Sequence, residues 1–373
     1  MKSSFVLALT LCLSRPAWAD DANNRCAVAN PHTGSAVSIP QDDAVHIGSD
    51  GKPSVTYDQW YWNSVLVGED GHIYGVETIP FQFYFPPAIV DVVQIALTDV
   101  ATGEFVNQFI SGGDGYTYVP NKIDIELADA GGSFKAIGGG GSDDLTFKYT
   151  DGSKVQLHFE GLKNPAPAWA NGIGRMIDPI TGRDHGTQLY YNRRNMAVYG
   201  TVQRPGKRRV NVAGIGWYDR EFGSVIGTRG TQDNNVHWRW LSVHLSDDTD
   251  LMMWDMYAND TGNNLLHFVN EIGAAPRCSE KTMTAFTYTP SASRVVAPGP
   301  PVTRLNLGGH LSIPEEGLEI DVHPMLDNQI VSSAGLFSPF FEGAFFVTGT
   351  KNGHLVTGTG YYEQFVAPGG CCQ

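Results

Sequence analysis

Positive charge, long apolar runs and the short signatures of common cofactor enzymes are what this sequence of 373 residues has little of. Lysine and arginine total 25 against 39 acids, a formal net charge of −14. Phosphate repels so acidic a chain, which sets aside nucleic acid and anionic membrane surfaces as partners. The few basic clusters, Arg193-Arg194 and Lys207-Arg208-Arg209, read as solvated hairpin ends. Beyond the first residues no apolar stretch approaches the ~18 residues that span a bilayer, so no integral membrane segment is expected. The H-E-x-x-H of a zinc hydrolase is missing and the eleven histidines are scattered, His237 and His244 falling on opposite faces of their strand. A G-x-S-x-G elbow and a dinucleotide G-x-G-x-x-G are absent too. The glycine run Gly138 to Gly141 lacks the following Lys-Ser/Thr of a phosphate loop and reads as a hairpin connection. No cofactor and no metal site are indicated.

Cysteine is scarce, five in all. Lys2, the apolar run Phe5 to Leu13, Pro16 and Ala17-Trp18-Ala19 form a secretory signal peptide over residues 1–19, with cleavage before Asp20. Cys12 leaves with it. The remaining Cys26, Cys278, Cys371 and Cys372 are an even number in an exported chain, which suggests two disulfides and a secreted or secretory-lumen protein. Adjacent cysteines rarely bond to each other, so Cys371 and Cys372 are expected to pair with Cys26 and Cys278 in one order or the other. Asn259-Asp260-Thr261 is a glycosylation sequon for a eukaryotic host.

What the chain does have is turn residues and aromatics: 43 glycines, 21 prolines, 15 tyrosines and 8 tryptophans, with only 17% charged residues. Strand-like runs recur at Trp60 to Val67, Phe81 to Phe85, Val92 to Leu97, Leu145 to Tyr149, Val155 to Phe159, Ala197 to Val202, Val236 to Leu245 and Asp250 to Tyr257. Turn pairs such as Asp70-Gly71, Asp151-Gly152 and Asn352-Gly353 separate them. The class is all-β, without a long amphipathic helix. Asn164 to Gly186 reads as a long loop able to cover a pocket mouth.

The informative stretch is Gly214 to Ser224. As a strand it places Trp217, Asp219 and Glu221 on one face, and Tyr218, Arg220 and Phe222 on the other. Burying an unpaired carboxylate costs several kcal/mol, so two of them beside an indole imply either ion pairs, for instance with Arg239 or Arg229, or a chemical task. Alternation also puts Trp238 with Trp240 on one face, Tyr361 with Glu363 on another, and Tyr190 opposite Tyr191. Each aromatic alone serves core packing. Together they suit a lining for a flat apolar ligand held by a few polar anchors.

The pattern Trp217-x-Asp219-x-Glu221-x-Gly223 resembles the central signature of a lipocalin-like family that includes carotenoid 1,2-hydratases, AttH-type proteins and fungal Diels-Alderases. Further agreement comes, in order, from Trp60-Tyr61-Trp62-Asn63 with Gly71-His72-Ile73-Tyr74-Gly75, from Ala96 to Gly103, from Leu189-Tyr190-Tyr191, and from Phe341-Glu342-Gly343 leading to Gly358 to Glu363. The resemblance implies two consecutive lipocalin-like antiparallel β-barrel or sandwich domains, residues 20–205 and 206–373, with an apolar site between or within them. It implies Asp219, Glu221 and Tyr218 as catalytic, and Trp60, Trp62, Asn63, Tyr190, Trp217, Trp238, Trp240, Phe341, Tyr361 and Glu363 as substrate-binding. Glu221 stands where some relatives carry Asn. The reading favoured by the export signal, cysteines and acidic charge is a cofactor-independent Diels-Alder or hetero-Diels-Alder cyclase acting on a polyene, terpenoid or quinone methide. The alternatives are a hydratase adding water to an isoprenoid alkene through acid Asp219, and a secreted carrier without chemistry.

Overall fold

The computed structural model describes residues 26, 35–112, 115–169, 171–224, 236–291, 293–297, 303–333 and 337–366. It is all-β, built on two large curled antiparallel sheets. The strands of the first are β1 (Tyr57–Gly68), β2 (Ile73–Phe85), β3 (Ala88–Asp99), β4 (Glu104–Gly112), β5 (Ile123–Ala128), β6 (Ser133–Gly139), β7 (Ser142–Lys148), β8 (Lys154–Gly161), β9 (Ala166–Pro167), β10 (Ile173–Ile177), β11 (Asp184–Gln203) and β12 (Arg209–Ser224). They run in the order β4-β3-β2-β1-β12-β11-β8-β7-β6-β5, with β9 and β10 also pairing along β11.

The second sheet draws on β13 (Val236–Leu245), β14 (Asp250–Ala258), β15 (Asn264–Ile272), β16 (Glu280–Met283), β17 (Thr287–Pro290), β20 (Gly309–Ile313), β21 (Leu318–Pro324), β22 (Ile330–Ser333), β23 (Phe337–Lys351) and β24 (His354–Phe365). Its order is β16-β15-β14-β13-β24-β23-β21-β20-β17, with β22 on β23; β18 (Ser293–Ala297) and β19 (Thr303–Asn306) form a separate ribbon. The β23–β24 hairpin shows why the turn pairs matter. Lys351 pairs with His354, so Asn352 and Gly353 alone reverse the chain, at φ 51° and 77°. Gly360 meets a different demand: a Cβ there would lie 1.8 Å from the Ser242 carbonyl oxygen, so only glycine lets β24 lie this close to β13.

Three apolar clusters follow from the strand period. One fills the curl of the first sheet with Trp60, Trp62, Leu66, Phe134, Phe147 and Tyr218, and a second fills the other sheet with Leu241, Met253, Leu311, Phe341 and Phe345. The third lies on the seam between the sheets, where Tyr61, Tyr190, Trp217, Trp240, Met252, Trp254 and Tyr361 meet. Strand β1 serves both the first and the third, which is why nearly every one of its residues is buried instead of every second one.

Polar locks hold the seam. Buried Lys163 Nζ lies 2.7 Å from Asp250 Oδ2 and 3.3 Å from Asp248 Oδ1, and donates to the carbonyls of Asp248 and Gly273. Asn195 Nδ2 donates to the Asp248 and Asp250 carboxylates as well, and Asp250 Oδ1 is also 2.7 Å from His244 Nδ1. Farther along, Thr98 Oγ1 donates to Gln329 Oε1 at 3.0 Å.

Two expectations change. The sheets do not exchange at residue 205: β12 pairs with both β1 and β11, so the strand carrying the Trp217 stretch completes the first sheet and the second begins at Val236. Neither does the C-terminal pair claim Cys26 and Cys278. These two bond to each other, with Cα atoms 5.6 Å apart, Cys278 lying in the turn between β15 and β16. Cys371, Cys372 and the signal peptide expected over residues 1–19 lie outside the described residues. The disulfide fits an oxidising compartment. Among the described residues no helix is long and apolar enough to cross a membrane.

The seam lock is open to test. Lys163→Ala leaves Asp250 buried with one cation fewer and should cost about 3 kcal/mol in urea unfolding. Removing Lys135, whose pair with Glu126 is exposed, should leave the midpoint where it was.

Candidate active site

Five carboxyl groups project into the seam from four strands. Period-2 alternation turns Glu77 of β2, Asp219 and Glu221 of β12, Glu342 of β23 and Glu363 of β24 toward the third apolar cluster, away from the two sheet interiors. Glu77 and Glu342 are 1% exposed, Asp219 2% and Glu221 5%, whereas Glu363 retains a partly accessible face.

Each carboxyl is met by a neutral donor. Trp217 Nε1 donates to Asp219 Oδ1 at 2.6 Å, Trp238 Nε1 to Glu363 Oε1 at 2.8 Å, Tyr61 Oη to Glu342 Oε1 at 2.5 Å and Gln94 Nε2 to Glu77 Oε2 at 2.7 Å. Gln188 Nε2 donates to Glu221 Oε2. The Tyr190 hydroxyl, within hydrogen-bonding reach of Asp219, accepts from Trp240 Nε1 at 3.2 Å. The ion pairs considered for Asp219 and Glu221 do not form with Arg239, which pairs with Asp255 at 3.0 Å; Arg229 lies outside the described residues.

Neutral partners cannot restore what water gave these acids, so burial pushes the Asp219 carboxyl up to about 8, against an ordinary 3.8. Trp217, Tyr190 and the charge of Arg194 oppose that rise without cancelling it. Burial raises Glu363 to about 7, with the Trp238 bond opposing. Glu77, Glu221 and Glu342 are held well above the carboxylate range, again by burial first; for Glu221 and Glu342 the neighbouring acids add to it.

Aromatic walls close around the acids. Trp240 meets Tyr61 and Trp217 edge to face at 5.3 and 6.2 Å, and Trp254 lies 6.3 Å from Trp238 and 6.4 Å from Tyr190. From Tyr57, whose hydroxyl is pushed up by burial and by the nearby Glu221 and Glu363, a ladder of rings runs outward. Phe83 is 5.7 Å from Tyr57, 5.5 Å from Phe81 and 5.9 Å from Phe85, which is 36% exposed.

Of the residues marked in the sequence, Asp219, Glu221, Trp217, Tyr190, Trp238, Trp240, Tyr361 and Glu363 come together here. Asn63, register partner of Trp217, shares the face, and its buried amide nitrogen has no hydrogen-bond partner among the described residues. Four others stand apart because alternation sends them the other way. Tyr218 points into the first sheet's interior, where its hydroxyl donates to Asp43 Oδ1 at 3.1 Å and Arg193 lies over its ring. Trp60 Nε1 donates to the Asp43 carbonyl and Trp62 Nε1 to Asp143 Oδ2, both at 2.9 Å. Phe341 packs in the second sheet's core while its neighbour Glu342 faces the seam. Glu77, Glu342, Gln94 and Gln188 were not marked. The signal for Glu77 was a lone acid in the run Ile73 to Phe85, and for Glu342 its place inside an already noted motif. Among the described residues no three metal-ligating side chains converge on one point.

A family model described as AttH-like matches residues 30–364. Among solved structures, one named for AttH from Nitrosomonas europaea superposes with a TM-score of 0.73 at 21% identity, covering 91% of this chain and 100% of that one. Kievitone hydratase from Nectria haematococca gives 0.69 at 13% identity, covering 92% and 97%. CghA gives 0.47 at 13% identity, covering 94% and 98%. No curated protein matches the sequence.

The raised acids link the site to stability. Asp219 and Glu363 hold protons in the folded state that the unfolded chain, with ordinary values of 3.8 and 4.5, releases. Stability from these groups is therefore full at acid pH and falls as pH rises, most steeply between about pH 5 and pH 8. The thermal midpoint should drop over that range, and Asp219→Asn with Glu363→Gln should flatten the slope. A midpoint that rises with pH would contradict the assignment.

Proposed function

The chain belongs to the AttH-like family, and from that premise we propose that it is an acid–base enzyme of the seam, a hydratase that adds water to the alkene of an apolar, isoprenoid-like substrate. The observation that carries the reading is the Asp219 carboxyl, kept protonated near neutral pH between an indole N–H and a tyrosine hydroxyl. Asp219 is also the position that matches the hydratases' acid in the sequence resemblance. The fold shared with a protein named as a hydratase is in keeping with the reading and assigns no residue.

The chemistry follows from two carboxyls whose surroundings set them apart. Asp219 gives its proton to one alkene carbon, and the other carbon becomes a cation facing Trp217 and Trp240. Indole faces stabilise such a cation by about 0.5–2 kcal/mol, and nearby water is held off by the closed apolar wall. Glu363, lower in pKa and partly open to solvent, takes a proton from the water molecule as its oxygen bonds to the cation. The product is an alcohol heavier by one water, and the proton on Glu363 returns through solvent to Asp219.

One observation favours the cyclase as a second reading. Burial holds Glu77, Glu221 and Glu342 well above the ordinary carboxylate value, which favours their protonated, hydrogen-bond-donating form. Donors fixed around an aromatic box can lower a cycloaddition barrier once the reacting parts are held together.

Incubating the purified protein with isoprenoid alkenes, polyenes and quinone-methide precursors, followed by mass analysis, tests the readings. A product heavier by one water is expected. One equal in mass to the substrate or combined substrates would support the cyclase, and tight binding without product a carrier. For the hydratase, kcat/KM should rise as Glu363 loses its proton near pH 7 and fall as Asp219 loses its own near pH 8. Asp219→Asn should lower kcat by about 10²-fold or more while KM stays within a few fold. Unchanged turnover in that variant would end the proposal.

A further inference from the structure

A second opening on the seam lies behind Trp217. It is a cleft of roughly 200 Å³ whose inner wall holds Trp169, Arg194, Asn270 and Glu271 and whose rim is formed by the exposed Glu280 and Lys281 of β16. Arg194 is the unusual member. It is 1% exposed and, among the described residues, in no ion pair, with the charges of Glu280, Asp250 and Asp219 acting on it only from farther off. Its Nε donates to Asn192 Oδ1, which fixes the plane, and its Cζ stands 5.7 Å from the Trp217 ring. Nη1 is buried without a partner, and so is the indole Nε1 of Trp169. The Trp169 backbone adopts φ 52°, outside the usual range for a large residue, and its N–H donates to Asn270 Oδ1 at 3.2 Å.

A buried guanidinium in no ion pair and an indole N–H without a partner, both on residues lining one open cleft, leave two donors without an acceptor. We propose that this cleft binds a singly charged organic carboxylate, its oxygens held by the Arg194 guanidinium and the Trp169 indole N–H. The planar fork of arginine matches a carboxylate edge. The rest of the wall argues for one negative charge and not two. Glu271 and Glu280 line the same cleft, and the nearby lysines are already engaged, Lys281 with Glu316 and Lys351 3.6 Å from Glu271. A phosphate dianion would meet those two acids, whereas a monocarboxylate with a short hydrocarbon stem fits the space. The cleft also reaches the acid cluster electrostatically. Arg194 is the cation that draws the Asp219 proton away, so a bound anion makes Asp219 a firmer proton holder.

Isothermal titration and thermal unfolding of the full protein with sodium benzoate, and with inorganic phosphate at matched ionic strength, test the proposal. Benzoate should bind saturably and raise the midpoint, about tenfold or more tightly than phosphate. Arg194→Met removes the unpaired charge at similar volume; without benzoate the variant should be as stable as the parent or more so, and its benzoate affinity should fall by about tenfold or more. Trp169→Phe keeps an aromatic ring against Tyr190 and Phe268, though a smaller one, and removes the donor; it should weaken benzoate about threefold to tenfold, which keeps the proposal testable even where Arg194→Met does not fold. No saturable binding, equal affinity for phosphate, or a Trp169→Phe variant that binds as the parent does would overturn the proposal.

Discussion

A carboxyl group removed from water and given no ion pair keeps its proton, and the seam of this protein depends on that one constraint. Burial of Asp219 among indoles, a tyrosine and other acids costs little while the group is neutral and a great deal once it ionises. The strands that bring Glu77, Glu221, Glu342 and Glu363 to the same place therefore assemble a set of proton holders, where ion pairs would have assembled a scaffold. The sheets supply the geometry: β12 and β24 lie beside the strands carrying Trp238, Trp240 and Tyr61, so donors and acids interleave.

The interior of the first sheet shows the opposite solution with the same residue types. Burial pushes Asp43 up as it does Asp219, but Arg193 and hydrogen bonds from Tyr191 and Gly140 more than offset it, and the group ends below its ordinary value. Asp58 is likewise drawn down by Arg220 and His46 against its burial. Arg220 in turn lies 3.9 Å over the Trp60 ring and donates to the carbonyls of Asp42, Gln59 and Ala44. These are ion-paired networks that pin the segment before β1 to the sheet. One strand, β12, carries both kinds of site on its two faces: Tyr218 and Arg220 toward the paired network, Asp219 and Glu221 toward the unpaired one.

How much of this was legible in the sequence follows from what period-2 alternation can and cannot say. It placed Trp217, Asp219 and Glu221 on one face and Tyr218 on the other, and it joined Tyr361 to Glu363, because those relations lie within one strand. It was silent on which face of which sheet meets the other sheet. Trp60 and Trp62 thus looked like lining and belong to a sheet interior, and Phe341 was marked where Glu342 faces the seam. Glu77 and Trp217 come to one face only through β1, where Asn63 is the register partner of both, a long-range fact that no local pattern encodes. The exchange of sheets after Ser224 was hidden likewise: β12 reads equally well as the opening strand of a second domain until its pairing with β1 is known. The Cys26–Cys278 bond depended on where a segment without periodicity returns to the fold.

The central claim is a protonation state, and infrared difference spectroscopy of the carboxylic C=O stretch, with Asp219→Asn as the reference, reads it directly. The account requires a protonated-carboxyl band assignable to Asp219 at neutral pH that disappears with a midpoint near 8. A band absent at neutral pH, with Asp219 titrating in the ordinary carboxylate range, would contradict the account and leave the seam acids with a structural role alone.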